Sequence, residues 1–219
     1  MTFFQRLGMV LAVGYRFFRV IFQLLRAIWI VYRLPQPCVS IFGGTHVKQT
    51  DPIAKQATEI AAALVENNFS VLTGGGPGIM QAANCGAYYA QKGELRTLGI
   101  TVRGLESEGP NPCAREVSLI LDYFFARKWL LIHYSVGFLV FPGGIGTMDE
   151  LAELLTLIQT NQRSDAPVIL IGTVFWKPFI DWLNLSHERG LVDADTLRRI
   201  TVTDDKDFSV ELLKRKCQG

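Results

Sequence analysis

Residues 136–160 read VGFLVFPGGIGTMDELAELLTLIQT. The first six, 136–141, form an unbroken apolar run of the kind that suits a strand buried on both faces of a sheet. Pro142-Gly143-Gly144-Ile145-Gly146 then interrupts the pattern, and from 147 to 160 the apolar residues recur at helical spacing. A strand, a glycine turn and a helix in direct succession make the repeating unit of a doubly wound α/β sheet.

The same unit recurs on either side of this stretch. Short apolar runs at 38–42, 69–73, 97–102, 168–171 and 200–203 alternate with helical patterns at 51–67, 79–92, 117–134, 176–189, near 195 and from 208. The predicted fold is therefore a Rossmann-like parallel sheet with helices on both faces, occupying residues 38–219. The one long irregular stretch, 103–116 (RGLESEGPNPCARE), has the length of a functional loop or lid.

Composition bounds the alternatives. With 219 residues, 49% hydrophobic and 19% charged, the chain is neither disordered nor collagen-like nor a small disulfide scaffold. Its length suits one domain with a sizeable core. The balance of 22 Lys+Arg against 20 Asp+Glu gives a net charge of +2, so no general attraction to nucleic acid is expected. A mean hydropathy of +0.22 is high for a soluble enzyme, and the excess lies at the start of the chain.

Residues 3–34 are mostly apolar, yet Arg6, Arg16, Arg19, Arg26 and Arg33 interrupt them, so no uncharged run approaches the roughly 20 residues of a membrane span. A simple transmembrane helix is not expected. At about 100° per residue, Arg16, Arg19, Arg26 and Arg33 share a third of the helical wheel with Gln23 beside them. Residues 1–34 thus read as a basic amphipathic helix. It would lie on an anionic membrane surface as a peripheral contact, or pack on the protein's own core or on a second subunit. The arginines are spread through the run instead of preceding it, so no secretory signal is indicated and a cytoplasmic location is expected. Pro35 and Pro37 end the helix and mark the boundary to the main domain.

Cys38, Cys85, Cys113 and Cys217 contain no C-x-x-C pair and read as ordinary reduced thiols. His46, His133 and His187 lack metal-like spacing, so neither a metal nor a cofactor is expected.

Three glycine turns carry the functional signal: Gly43-Gly44-Thr45, Gly74-Gly75-Gly76-Pro77-Gly78, and Pro142 to Gly146 with Thr147. Each follows a predicted strand and precedes a helix. In a doubly wound sheet the carboxyl ends of the strands share one edge, so the turns can converge on one crevice. Glycine admits a ligand to the backbone N–H groups, and the following helix N-terminus favours an anion. A phosphate site with Gly43, Gly44, Gly75, Gly76, Gly143, Gly144, Gly146 and Thr147 results. No turn matches G-x-G-x-x-G with a ribose-binding acid or G-x-x-x-x-G-K-[ST], which argues against dinucleotide and triphosphate sites.

Thr147-Met148-Asp149-Glu150 has two readings. It matches a capping box, with Thr147 as N-cap and Glu150 reaching back to it; alternatively Glu150, with Glu153 one turn on, stands at the mouth of the crevice. On the preceding helix, Arg127 and Lys128 sit among aromatic and aliphatic residues, where a buried charge needs an anionic partner. Adjacent helical residues diverge by about 100°, so the two cannot both enter one site, and Arg127 is the expected entrant.

The motifs GGGPGIMQAAN at 74–84, RK at 127–128, PGGIGTMDE at 142–150 and LTLIQT at 155–160 resemble the LOG (Lonely Guy) family, long labelled "lysine decarboxylase", over roughly residues 38–213. The form GGGPGIM with Ala-Ala-Asn is similar to the longer, bacterial branch. The resemblance implies hydrolysis of the N-glycosidic bond of a nucleoside 5'-monophosphate, a cytokinin nucleotide or AMP, to free base and ribose 5-phosphate. It implies Arg127 and Glu150 as the catalytic pair, Gly143, Gly144, Gly146 and Thr147 as the phosphate loop, Lys128 and Thr156 as substrate contacts, and a homo-oligomer, dimer or higher. An acidic contact in the family's loop aligns with Glu106 or Glu108. A general acid is not identified among Asp149, Glu153, Glu106 and Glu108. Pyridoxal phosphate chemistry would need a Schiff-base Lys and a partner for the pyridine nitrogen, and no such set is apparent. The alternative from another class is a carrier that holds a nucleotide or phosphorylated cofactor without turning it over.

Overall fold

A computed structural model of the chain describes residues 3–104, 111–114, 118–163 and 166–217. Among the described residues, strands β1 (Cys38–Phe42), β2 (Ser70–Thr73), β3 (Thr97–Val102), β4 (Ser118–Leu121), β5 (Ser135–Val140), β6 (Val168–Ile171) and β7 (Ile200–Thr203) pair in parallel. Their order is β4-β3-β2-β1-β5-β6-β7. Residues 38–42, 70–73 and 168–171 are buried along their whole length, which is why these strands read as continuous apolar runs and not as alternations. The chain moves outward from β1 to β4 and then returns to pair β5 with the free side of β1. The switch in winding direction falls between β1 and β5, the place where a doubly wound sheet opens a crevice.

Helices cover both faces: α1 (Phe3–Tyr32), α2 (Pro52–Glu66), α3 (Ile79–Ala90), α4 (Phe124–His133), α5 (Ile145–Gln159), α6 (Thr173–Glu188), α7 (Ala194–Arg199) and α8 (Lys206–Cys217). Alternate residues of each strand serve opposite cores. On one face Val39, Ile41, Val71, Leu139 and Ile169 pack against α2, α3 and α8 through Ile60, Leu64, Ala83 and Leu213. On the other, Phe42, Leu72, Phe138, Val140 and Leu170 meet α4, α5, α6 and the end of α1 through Leu130, Leu154, Trp176 and Val31. Asp51 caps α2 by accepting from the N–H of Ile53 at 3.0 Å, with Pro52 in the first position, where a missing donor costs nothing.

Two expectations need correction. The segment 117–134 is not one helix: Ser118–Leu121 pairs with β3 in the register Ile100↔Leu119 and Val102↔Leu121, and α4 starts only at Phe124. Ladder pairing at the edge of the sheet outweighs the weak helical pattern of a four-residue apolar run. Cys85 and Cys113 are not thiols but a disulfide across a sequence separation of 28. Cys38 is a free, buried thiol whose pKa burial pushes up to about 12. Gly8–Tyr32 has the length and composition of a membrane span, although Arg16, Arg19 and Arg26 interrupt it.

In α1 only the carboxyl half meets the domain. Ala27 and Val31 are buried, with Leu24 and Ile28 beside them, while every residue from 5 to 19 whose side chain is described is exposed. Asp122, just beyond β4, anchors this half. It accepts from Gln23 Nε2 at 2.7 Å, from Arg19, and from Arg103 Nε at 2.9 Å.

Candidate active site

The three glycine turns leave the carboxyl ends of β1, β2 and β5 and are joined by their own backbones. Gly44 N–H donates to the carbonyl of Pro142 at 3.0 Å, and Ile79 N–H donates to the carbonyl of Gly44 at 3.1 Å. Close approach demands glycine here. A Cβ on Gly143 would lie 2.1 Å from Thr147 Oγ1 and 2.9 Å from Gly44 N. Together the turns edge a crevice of about 1180 Å³.

Of the residues singled out from the sequence, Gly43, Gly44, Gly75, Gly76, Arg127, Lys128, Gly143, Gly144, Gly146, Thr147 and Glu150 line this crevice. Thr156 does not. Its exposed hydroxyl donates to the carbonyl of Ala152 at 2.8 Å, a turn back along its own helix. Glu106 and Glu108 lie outside the described residues.

The capping-box reading of Thr147 fails. Gly144 is the N-cap of α5, so Thr147 already stands in the first turn and Glu150 in the second, too far along to reach the cap amide. The Gly143-Gly144 turn lets the helix begin at Ile145, ahead of the first residue with a capping side chain. Glu150 is thereby released from a structural bond and points to the crevice wall.

There it meets Arg127. Arg127 Nη2 donates to Glu150 Oε1 at 3.1 Å, and both residues are 8% exposed. Burial pushes the Glu150 carboxyl above its usual range, and the Arg127 guanidinium pulls against that shift without cancelling it. Arg127 Nε is buried without a hydrogen-bond partner. The guanidinium reaches this position under the second turn, where a Cβ on Gly74 would fall 1.9 Å from Nη2. Lys128 diverges from its neighbour, with Nζ 2.6 Å from Glu153 Oε2 and 3.0 Å from Asp149 Oδ2. The hydrogen bond to Glu153 raises its pKa and holds it as an ammonium.

Sequence reasoning missed the residues that support the second turn. Asn84 Oδ1 accepts from Thr73 Oγ1 at 2.6 Å and from Asn111 Nδ2 at 2.9 Å, while Asn84 Nδ2 donates to Thr97 Oγ1 at 2.8 Å. Asn111 also donates to the carbonyl of Gly76 at 3.1 Å. The Cys85–Cys113 bridge fastens the segment carrying Asn111 to α3. Asn84 had a signal, as an Asn inside the apolar pattern of a helix; Asn111 had none. Ile120, Phe124 and Phe175 add apolar wall to the same crevice.

A family model described as "Possible lysine decarboxylase" matches residues 80–213. The chain belongs to this family, the LOG family. The LOG-family chain is 30% identical over 141 residues to a pyrimidine/purine nucleotide 5'-monophosphate nucleosidase of Escherichia coli K12, covering 61% of its own length and 30% of that protein. It therefore spans less than a third of that relative. It is 27% identical over 152 residues to the cytokinin riboside 5'-monophosphate phosphoribohydrolase of Mycobacterium tuberculosis, covering 68% of this chain and 79% of that one. Among solved structures, the molybdenum cofactor carrier protein of Chlamydomonas reinhardtii superposes with a TM-score of 0.61 at 20% identity, over 84% of this chain and 99% of that one. That likeness bears on the fold of the LOG-family chain alone.

Proposed function

We propose that this chain hydrolyses the N-glycosidic bond of a nucleoside 5'-monophosphate to the free base and ribose 5-phosphate. The observation that carries the reading is the buried Arg127–Glu150 pair on the wall of a crevice edged by three glycine turns. The relatives' names, a nucleotide 5'-monophosphate nucleosidase and a cytokinin riboside 5'-monophosphate phosphoribohydrolase, support the same class of reaction.

In this reading the 5'-phosphate sits on the backbone N–H groups at the start of α5, where the helix dipole adds attraction for an anion. The apolar wall of Ile120, Phe124 and Phe175 faces the planar base, a cytokinin-type or plain adenine. Cleavage of the C1'–N bond sends its electron pair to the base and leaves positive charge on the ribose, as in glycoside hydrolysis. The Glu150 carboxylate stabilises that charge and orients the attacking water, taking its proton as oxygen bonds to C1'. Arg127 fixes the Glu150 carboxylate, and its unpartnered Nε is a donor for a substrate oxygen. The base leaves with a proton from solvent, since Asp149 and Glu153 are both engaged with Lys128. Lys128, held as an ammonium by those carboxylates, is unsuited to forming a Schiff base, which speaks against the decarboxylase label. Exposed Ile145, Val174 and Phe175 favour a homo-oligomer.

The second reading is a carrier that binds without cleaving, because the same fold and glycine turns can hold a phosphate without turning it over. A buried carboxylate beside an anionic ligand weakens simple binding, so Glu150 favours turnover. Incubation with a panel of nucleoside monophosphates, followed by chromatography for free base and ribose 5-phosphate, tests the proposal. Absence of any cleavage discards it, and tight nucleotide binding without cleavage favours the carrier.

A further inference from the structure

The half of α1 that touches the domain does so by one edge, and the opposite edge is bare. Leu11, Tyr15, Phe18, Phe22, Leu25 and Trp29 follow one another at spacings of four and three, so they form a single strip along the helix. Their exposures are 64, 65, 68, 63, 60 and 62%. The strip lies across the helix from Ala27 and Val31, the residues that α1 buries against the domain. Arg26 is exposed at its border, and Arg33, just past the helix end, is exposed and lies over the Trp29 ring at 5.0 Å. No Asp or Glu occurs in the sequence before Asp51. An apolar strip of this length needs a cover, and three covers can be weighed.

A bilayer-spanning helix fits the length of Gly8–Tyr32 but not the attachment. Arg19 and Gln23 are bonded to Asp122, and Leu24 to Val31 lies on the domain. Only residues 3–18 remain free, and at about 1.5 Å per residue they reach roughly 24 Å, short of the roughly 30 Å hydrocarbon core. A second copy of α1 would bring the bordering arginines together with no acidic residue on the helix to receive them. An anionic lipid surface satisfies both features: the acyl boundary takes the aromatic strip and the headgroup phosphates take the guanidinium groups.

We propose that α1 docks flat on an anionic bilayer through the strip from Leu11 to Trp29, with Arg26 and Arg33 at the headgroups. Asp122, just beyond β4, ties α1 to the carboxyl edge of the sheet, the edge that also carries the crevice. The inference is independent of the reaction proposed above.

Flotation of the full chain tests it, with phosphatidylcholine vesicles compared with vesicles in which about one third of the lipid is phosphatidylserine. The chain floats with the anionic vesicles and not with the neutral ones, and rising salt releases it. Arg26→Gln with Arg33→Gln weakens partition roughly fivefold for each charge removed. Phe18→Gln with Phe22→Gln, at exposed positions that leave the fold intact by circular dichroism, weakens it tenfold or more. Absence of flotation, or equal flotation with both vesicle types, overturns the proposal. So does a dimer that Phe18→Gln with Phe22→Gln dissolves while vesicles are ignored, which would mark the strip as a self-association seam. An N-terminus reached by protease only from the far side of sealed vesicles would identify a span and likewise overturn it.

Discussion

Arg127 and Glu150 hold one another at 3.1 Å with almost no access to water, one on α4 and the other on α5. Removing either partner has unequal consequences. Glu150→Gln keeps the volume and a hydrogen-bond acceptor, so the fold persists, and the release of ribose 5-phosphate falls by about a hundredfold or more. Arg127→Ala leaves the carboxylate buried and unpaired, which costs about 3–5 kcal/mol of stability in addition to activity. Assay of both variants beside urea unfolding separates the two effects. Glu150→Gln cleaving at the parent's rate would sink the mechanism.

The pH profile follows from the raised Glu150 pKa, which burial causes and Arg127 only partly opposes. Catalysis needs the ionised carboxylate, so kcat/KM falls as pH drops through that raised value, and the acidic limb lies above the ordinary Glu range near about 4.3. The sign for stability is opposite. A carboxyl that binds its proton more tightly when folded costs stability once ionised, and the cost is relieved as pH falls through the folded pKa. Within that window the chain gains stability while losing activity. Parallel rate and denaturation measurements check this, and a limb at or below the ordinary range contradicts it.

The bridge between Cys85 and Cys113 closes a loop with a sequence separation of 28. The paired substitution Cys85→Ser with Cys113→Ser lowers stability by about 3–4 kcal/mol on the chain-entropy argument. It also loosens Asn111, which braces the carbonyl of Gly76, so KM for the nucleotide rises more than kcat falls. Urea midpoints without reductant and steady-state kinetics read the two parts separately.

Asp122→Asn removes the charge that gathers Arg103, Gln23 and Arg19. The hydrogen bond from Arg103, followed by that from Gln23, holds the Asp122 carboxyl below its usual range. Its contribution to docking α1 is therefore present above the ordinary Asp pKa of about 3.9 and fades as pH falls through the lower folded value. Faster amide exchange across residues 19–31 in Asp122→Asn at neutral pH, with the rest of the domain unchanged, is the expected outcome. Unchanged exchange would mean that the apolar contacts of Ala27 and Val31 suffice.

Much of this architecture can be read from the sequence because parallel strands buried on both faces leave uninterrupted apolar runs, and glycine turns punctuate them. β4 escapes because Ser118–Leu121 passes into α4 through Asp122 and Tyr123 alone, with no glycine or proline between them. The crevice edges were visible as three turns, and Arg127 as a charge among aromatics. The mistaken cap at Thr147 shows the limit: T-x-x-E has the spacing of a capping box wherever the helix starts, and only backbone geometry reveals that α5 starts earlier. The disulfide could not be read from four scattered cysteines, because pairing depends on which loop folds over α3. Asn111 acts through a carbonyl brought to it from 35 positions away, a contact with no local trace.

The 1.9 Å that would separate a Cβ at position 74 from Arg127 Nη2 ties the histories of two distant positions. While Arg127 is present, Gly74→Ala evicts the guanidinium; once Arg127 has become a small residue, alanine at 74 requires only that the flexible Met80 side chain move aside. The order of substitution is thus one-way. A lineage abandoning this chemistry would lose the arginine first and the glycine later, and a descendant that had taken both steps could not recover the arginine without first reversing the second.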